Sequence, residues 1–557
     1  MRETQTNPVI RALPSLADFA FVMPLVWLFA RMEGCATLLS DGDTGWHLRT
    51  GEWILAHGRV PDRDLFSFTR VGEPWFAWEW LWDVGAACLV RYGGLAALVL
   101  ANAVLLGTIF ALLYRLTRRV SGNAPVAIAV TFLAAAGSSV HWLARPHLVT
   151  LLFVVLFGSL LERGPAWPRV ALLAGLTALW TNLHGGFFVG IVLVAGYAAG
   201  EAAAALTASQ PAERAAAWRR AGLWLAGVAG CAAATFANPY GWRLHAHIYR
   251  YLADPYLFSH NREFVSLNFR HPAAIYFEAV LLAGAAAAFW SLCRRRFAHA
   301  LLVATWAHLA LFSARNVPIF LLVAAPVTAL AVREWIERLP YVHAAAWLRD
   351  GAARFLRTAS EIGEMDRIWR VHALSVAAVA AIAAVLYAPA PPELFRARFH
   401  PKLFPVDAVA VLEASGAGSR IFTDDQWGDY LIYSLYPKTR VFVDGRTDFY
   451  GSAFGERWVG VWGARHDWEA NLASFGIDTV LLRPNAPLTG AMKESNRWRV
   501  VYDDGTAIVF RPANGAAPAA QQVSAAQRDG GSGRDREITK SQPCDRGITT
   551  TSNENQS

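Results

Sequence analysis

The chain has 557 residues, of which 55% are hydrophobic and only 17% charged. Soluble domains carry about 25% charge, so the deficit points to lipid around much of the chain. The net charge of +8 is not a nucleic-acid footprint, because the Arg residues fall between apolar runs and not along one stripe, and five Cys without a CxxC pair exclude a disulfide framework.

A spanning helix needs about 17–25 predominantly apolar residues. Runs at 16–40, 94–114, 124–140, 186–206, 220–237, 273–292, 317–333 and 371–389 meet this need. Runs at 148–161, 169–182 and 298–313 are shorter. They fit as spans if their ends line a polar cavity, or one or two are re-entrant. About eleven spans are therefore predicted over 16–389, after a cytoplasmic N-terminus of residues 1–15. With that terminus inside, the inner connections collect Arg115, Arg118, Arg119, Arg163, Arg169, Arg214, Arg219, Arg220 and Arg294 to Arg296. The outer connection 238–272 carries four Arg against the trend, but the sum favours this orientation. An odd number of spans then places residue 390 onward outside.

The long apolar runs stop near Pro389. Ser419–Thr423, Arg440–Asp444 and Thr479–Leu482 read as strands, Trp427–Leu435 and Trp468–Phe475 as helices, and 499–511 as a hairpin around Asp503-Asp504-Gly505. This alternation predicts a small α/β extracytoplasmic domain over 390–513. The Ala-, Gln-, Ser- and Gly-rich stretch 514–557 reads as a disordered tail.

In this topology the unusual polar residues gather on one side. The first outer loop, 41–93, opens with Asp41-Gly42-Asp43-Thr44-Gly45-Trp46-His47 and runs on to Trp78-Glu79-Trp80. Other outer ends carry Arg145-Pro146-His147, Asn182-Leu183-His184-Gly185-Gly186 and Arg315-Asn316, and the outer domain adds Trp427-Gly428-Asp429-Tyr430 and Asp444-Gly445-Arg446. Such clusters on one face suggest a shared cavity. Each has a plainer reading. Asp41 and Asp43 suit a cation or a general base, or simply cap the helix that begins near Trp46. Arg145 binds a ligand or snorkels to the interface. His184 sits in a glycine turn, and Asp444-Gly445-Arg446 makes a strand end with an internal ion pair. Zinc is rejected for want of a tight ligand pair, and ATP-driven transport for want of a Walker motif.

First-loop acids directly after the first span, a helical first outer loop, about eleven spans and a C-terminal outer domain resemble the GT-C superfamily of polytopic membrane glycosyltransferases. The Asp41-to-His47 start, with Gly58, Pro61 and Asp64-Leu65-Phe66-Ser67, is most similar to a bacterial GT-C-like group of poorly defined substrate. The resemblance implies a polyprenyl-phosphate-linked sugar donor, a cell-envelope glycan, lipid or protein acceptor, and a bacterial inner-membrane location with no nucleic-acid partner. It makes Asp43, supported by Asp41, the catalytic base or the anchor of a divalent cation, Mg or Mn. The next outer connection offers Arg145 and His147 where some members have a second acid, which sets metal dependence in question. Arg315, then Arg145, is expected on the lipid phosphate. Glu79, His147 and His184 are expected to line the cavity, and Trp427 and Arg446 to help select the acceptor. Two other classes compete: a transporter or flippase of a polar lipid, for which no paired halves are seen, and a non-catalytic assembly protein, in which Asp41 and Asp43 would be dispensable.

Overall fold

The computed structural model describes residues 8–254, 262–341, 345–414 and 419–513. The expected tail, 514–557, lies outside them, as do the first seven residues. Helix α1 (Leu16–Ala30) starts at a capping box, in which Ser15 and Asp18 each accept the other's backbone N–H. It ends earlier than the apolar run to residue 40. The chain turns at Gly34, whose φ of +58° is open to glycine alone at little cost.

The first long loop holds helix α2 (Thr44–His57), and α3 (Trp80–Ser121) then enters the bundle. At Gly94, where the second span was predicted to begin, α3 kinks, with φ 63° and ψ −170°. The bundle continues through α4 (Ala124–Ser138), α5 (His147–Leu161), α6 (Trp167–Leu183), α7 (Phe188–Thr207) and α8 (Pro211–Ala234). An amphipathic helix, α9 (Trp242–Leu252), precedes α10 (Ala274–Cys293), α11 (Phe297–Phe312) and α12 (Val317–Arg338). A second amphipathic helix, α13 (Ala346–Asp366), precedes α14 (Ala373–Leu386). All eleven predicted apolar stretches are thus helical. Among the described residues six helical stretches are long and apolar enough to cross a membrane, joined by three shorter apolar helices. The chain is a multi-pass membrane protein.

Every residue from Val317 to Ala331 is buried. The apolar window of α12 is 72% buried against 28% for that of α10. An all-round apolar helix that is buried is a core helix, so α12 is the bundle's axis, and α10 shows most of its surface outward. The two ends of the bundle differ. One is closed by ion pairs such as Arg118–Asp366 (2.6 Å) and Arg296–Glu334 (2.7 Å). The other carries the first loop and the C-terminal domain.

That domain holds helices α15 (Asp425–Leu435), α16 (Thr447–Trp462), α17 (Trp468–Ser474) and α18 (Pro487–Glu494). Its strands are β1 (Ile421–Phe422), β2 (Thr479–Leu482), β3 (Trp498–Asp503) and β4 (Ile508–Pro512), in the order β1-β2-β4-β3. β1 and β2 are parallel, and the other pairs antiparallel. The strand expected at Arg440–Asp444 is reduced to one bridging residue. Val441 pairs with both Ser67 and Ile421, after which the chain turns to place Asp444 against Arg446. Val441 therefore ties the first loop to the edge of the sheet. Trp46, Phe66 and Trp75 of that loop share one hydrophobic cluster with Phe404, Trp427, Leu431 and Val509 of the domain. Burial of each such side chain contributes about 2 kcal/mol, so loop and domain are welded into one layer over the bundle.

Candidate active site

The site is built where α15 sits on the Asp41–Gly45 turn. A Cβ on Gly42 would strike the carbonyl oxygen of Gln426, and one on Gly45 that of Asp429. The glycines of the first motif are there for close approach. In return, the Gly42 N–H donates to Gln426 Oε1 (2.9 Å). Three motifs far apart in sequence thus meet in space: Asp41-Gly42-Asp43, Gly428-Asp429 and Asp444-Gly445-Arg446.

Asp43 is the residue just before α2, but its side chain makes no capping hydrogen bond. Helix capping does not account for it. Its Oδ2 instead receives Arg145 Nη2 (2.5 Å). Its backbone N–H donates to Asp41 Oδ1 (2.9 Å), and Asp41 Oδ2 receives Arg145 Nη1 (2.8 Å). The same Nη1 also reaches Glu263 Oε1 (2.8 Å). Arg145 therefore does not snorkel: it is clasped by three carboxylates. Burial works to raise Glu263, but Arg145 and then His141 and Arg315 more than reverse this and hold it well below the usual carboxylate range.

The other Asp43 oxygen, Oδ1, and Asp429 Oδ2 are both buried, and among the described residues no N–H or hydroxyl donates to either. They press on the α-carbon of Gly445, and a Cβ there would collide with both. One proton between the two carboxyls satisfies both oxygens. Burial raises each acid; Arg145 relieves Asp43, whereas Asp43 and Asp444 raise Asp429 further. Asp429 Oδ1 accepts the Gly445 N–H (2.9 Å), which fixes the pair.

A chain of buried polar groups adjoins this pair. Glu79 lies 3.5 Å from His47 Nε2 and 3.4 Å from His184 Nε2. The other nitrogen of His47 bonds Asp83 (2.6 Å). At His184, Nδ1 meets both the Thr150 hydroxyl (2.7 Å) and the Gly186 N–H (3.1 Å). Two donors at Nδ1 put the proton of neutral His184 on Nε2, facing Glu79. Burial, opposed in part by Arg145, pushes Glu79 up to about 8. Burial first, then the Arg145 charge, holds His47 well below the usual imidazole range.

Arg315 lies over the Phe264 ring, 4.9 Å from its centroid. The Ala314 N–H donates to Val265 O and the Ser313 hydroxyl to Glu263 O, so its loop is laced to that of Glu263. Among the described residues no carboxylate comes within ion-pair distance of Arg315. His147 opens α5 and bonds the His141 carbonyl (2.8 Å), with the two rings 4.2 Å apart.

Two residues expected to help select the acceptor are buried. Trp427 is fully buried, its Nε1 donates to Leu403 O (2.8 Å), and Arg483 stacks on its ring. Arg446 is 2% exposed, bound to Asp444 and to Asp64 (2.7 Å), with its guanidinium over Trp75. Both side chains are buried where the first loop meets the C-terminal domain. Glu263, Asp429, His47 and Asp83 were not among the expected site residues. Asp429 had a signal in its Trp-Gly-Asp-Tyr cluster; Glu263 sits in a charged loop with none.

The acids do not suit a divalent cation as they stand. Such an ion needs oxygens converging at about 2.0–2.6 Å on one point, and here Asp41 and Glu263 meet Nη1 and Asp43 meets Nη2 of one guanidinium. Among the described residues no three His, Cys, Asp or Glu side chains are grouped to hold a metal.

No family model matches the chain, and no curated protein matches it in sequence. In fold it is similar to the archaeal oligosaccharyltransferase AglB from Archaeoglobus fulgidus, solved in complex with an inhibitory peptide and a dolichol-phosphate. The TM-score is 0.52 at 12% identity, over 90% of this chain and 74% of that one. At that identity the likeness is one of fold.

Proposed function

We propose that this chain is a membrane glycosyltransferase that moves a sugar from a polyprenyl-phosphate carrier to an acceptor hydroxyl or amide. The reaction takes place where the first loop meets the C-terminal domain. The reading rests on one observation: an oriented Asp41–Asp43 pair beside Arg145, with Arg315 held nearby and free of a carboxylate partner among the described residues. The likeness to a fold solved with a lipid phosphate supports the donor class. The Arg bias supports an extracytoplasmic position for this face with the N-terminus inside, and the sequence resemblance implies a bacterial inner membrane.

The acceptor is a weak nucleophile and must lose its proton as it attacks the anomeric carbon. Asp43 is the base. Burial raises its carboxylate toward the operating pH, where a general base works best. Asp41 holds it by accepting its N–H. As the new bond forms, the bond from the anomeric carbon to the phosphate oxygen breaks, and the electron pair leaves with the polyprenyl phosphate. That charge needs a cation more than a protonating acid, and Arg315 supplies a planar fork that matches phosphate.

The test is transfer of a labelled sugar from lipid carrier to acceptor by purified protein, with melting measured in parallel. Asp43→Asn is expected to lower the rate about 10²–10⁴-fold with little change in melting. A stable Asp43→Asn protein with near-normal turnover overturns the reading. Passage of the lipid across the membrane with no new glycosidic bond favours the transporter instead.

A further inference from the structure

Three carboxylates from two separate loops close around a single side chain. Arg145 Nη1 lies between Asp41 Oδ2 and Glu263 Oε1, each at 2.8 Å, and Nη2 lies 2.5 Å from Asp43 Oδ2. The backbone under Arg145 is fixed. The Ala144 N–H donates to Leu38 O (2.8 Å), the Arg145 N–H to Leu143 O (2.8 Å), and Pro146 follows at the mouth of α5. Its side chain is about one-fifth exposed, so it has little room to swing away.

We infer that Arg145 is the resident cation of this acidic nest: the nest binds no divalent metal while Arg145 is present, and becomes a divalent-cation site when the side chain is removed. The reasons are geometric and electrostatic. A guanidinium is a flat fork whose nitrogens stand apart, and it spreads its partners over an arc. A Mg or Mn ion draws its oxygens to one point at about 2.0–2.2 Å. The carboxylates hold the first arrangement, and the guanidinium fills the space the second would need. Nor does Arg145 yield its charge, since a guanidinium stays protonated in proteins. A metal ion entering the nest would meet a fixed positive charge and leave a buried Arg without partners. With Arg145 cut back, three carboxylate oxygens on a rigid frame lose the guanidinium they share, and carboxylate oxygens are the donors that hard cations prefer.

The consequence for catalysis rests on the glycosyl-transfer reading: transfer then needs no added metal. The binding prediction does not rest on it. The experiment is titration of the full-length protein in detergent with Mn²⁺, read by the loss of the free-ion electron paramagnetic resonance signal. The expected results are no stoichiometric Mn²⁺ in the wild type, one per chain in Arg145→Ala or, should that variant fail to fold, Arg145→Gln, and loss of that ion in the double variant with Glu263→Gln. One Mn²⁺ in the wild type that disappears in Glu263→Gln overturns the inference, as does a folded Arg145→Ala or Arg145→Gln protein that binds none. Transfer that stops with a chelator and returns with Mn²⁺ overturns it too. Absence of transfer under every condition would instead remove the proposed function and leave the Mn²⁺ result standing.

Discussion

Asp43 Oδ1 and Asp429 Oδ2 meet over the α-carbon of Gly445, one from the first loop and one from the C-terminal domain, and among the described residues no N–H or hydroxyl donates to either. If one proton joins them, Asp429→Asn keeps a donor aimed at Asp43 and should change stability by less than about 1 kcal/mol. Asp429→Ala leaves a buried acceptor unsatisfied and should cost about 1–3 kcal/mol. Equal melting losses in the two variants would show that the bond is not made.

Arg315→Lys keeps the charge but gives up the fork and the flat face over Phe264. Transfer should fall to a small fraction of wild type, with the Michaelis constant for the lipid donor raised and melting little changed. Full activity in that variant would remove Arg315 from the phosphate site.

Glu79 makes stability depend on pH in a direction opposite to that of a paired carboxylate. Burial pushes it from 4.5 up to about 8, so the folded chain keeps a proton that the unfolded chain gives up. Its contribution is fully present below about 4.5 and is lost as pH rises toward 8, amounting to a few kcal/mol across the window. Glu79→Gln mimics the protonated form. Melting measured from pH 5 to 9 should decline more steeply in wild type than in the variant, and parallel curves would count against a protonated Glu79.

Arg446 and Trp427 should report on folding. Arg446→Ala strands Asp64 and Asp444 in a buried site, at a cost of about 3–5 kcal/mol. Trp427→Ala opens a cavity in the shared core, with a similar loss of about 3–5 kcal/mol. Expression and melting should fall together in both. Normal melting with lost acceptor binding would return these residues to the site.

Orientation is checked by a reporter fused after Ala513. It should be active only when the fusion point is extracytoplasmic, in keeping with the Arg bias. Cytoplasmic activity would put the acidic nest on the wrong face for an envelope acceptor.

The apolar stretches were legible because a spanning helix declares itself in one continuous run. The start of the second apolar run at Gly94 was legible, but the helical turns that precede it, back to Trp80, were not. The acids of the first loop stood out as well. What they touch did not. The partners of Asp43 come from α15 and from the loop between α4 and α5, and no local period encodes such contacts. Glu263 looks like any acid in a charged loop until Arg145 is placed beside it. Val441 read as a strand because its neighbours are apolar and β-branched, yet it pairs at one residue only. Trp427 and Arg446 looked like ligand contacts because polar–aromatic clusters have two uses, and burial alone tells them apart.

The common core of the first loop and the C-terminal domain also fixes when the site comes into being. Trp46, Phe66 and Trp75 leave the ribosome long before Trp427, Leu431 and Val509, the side chains that cover them. Until the end of the chain is made, the loop carries uncovered aromatic surface, and Asp43 lacks Asp429. A nascent chain can therefore carry all its apolar helices and still lack the cover of its first loop. Assembly of this layer is a last step of synthesis, and a premature stop before Asp429 leaves Asp43 without that neighbour.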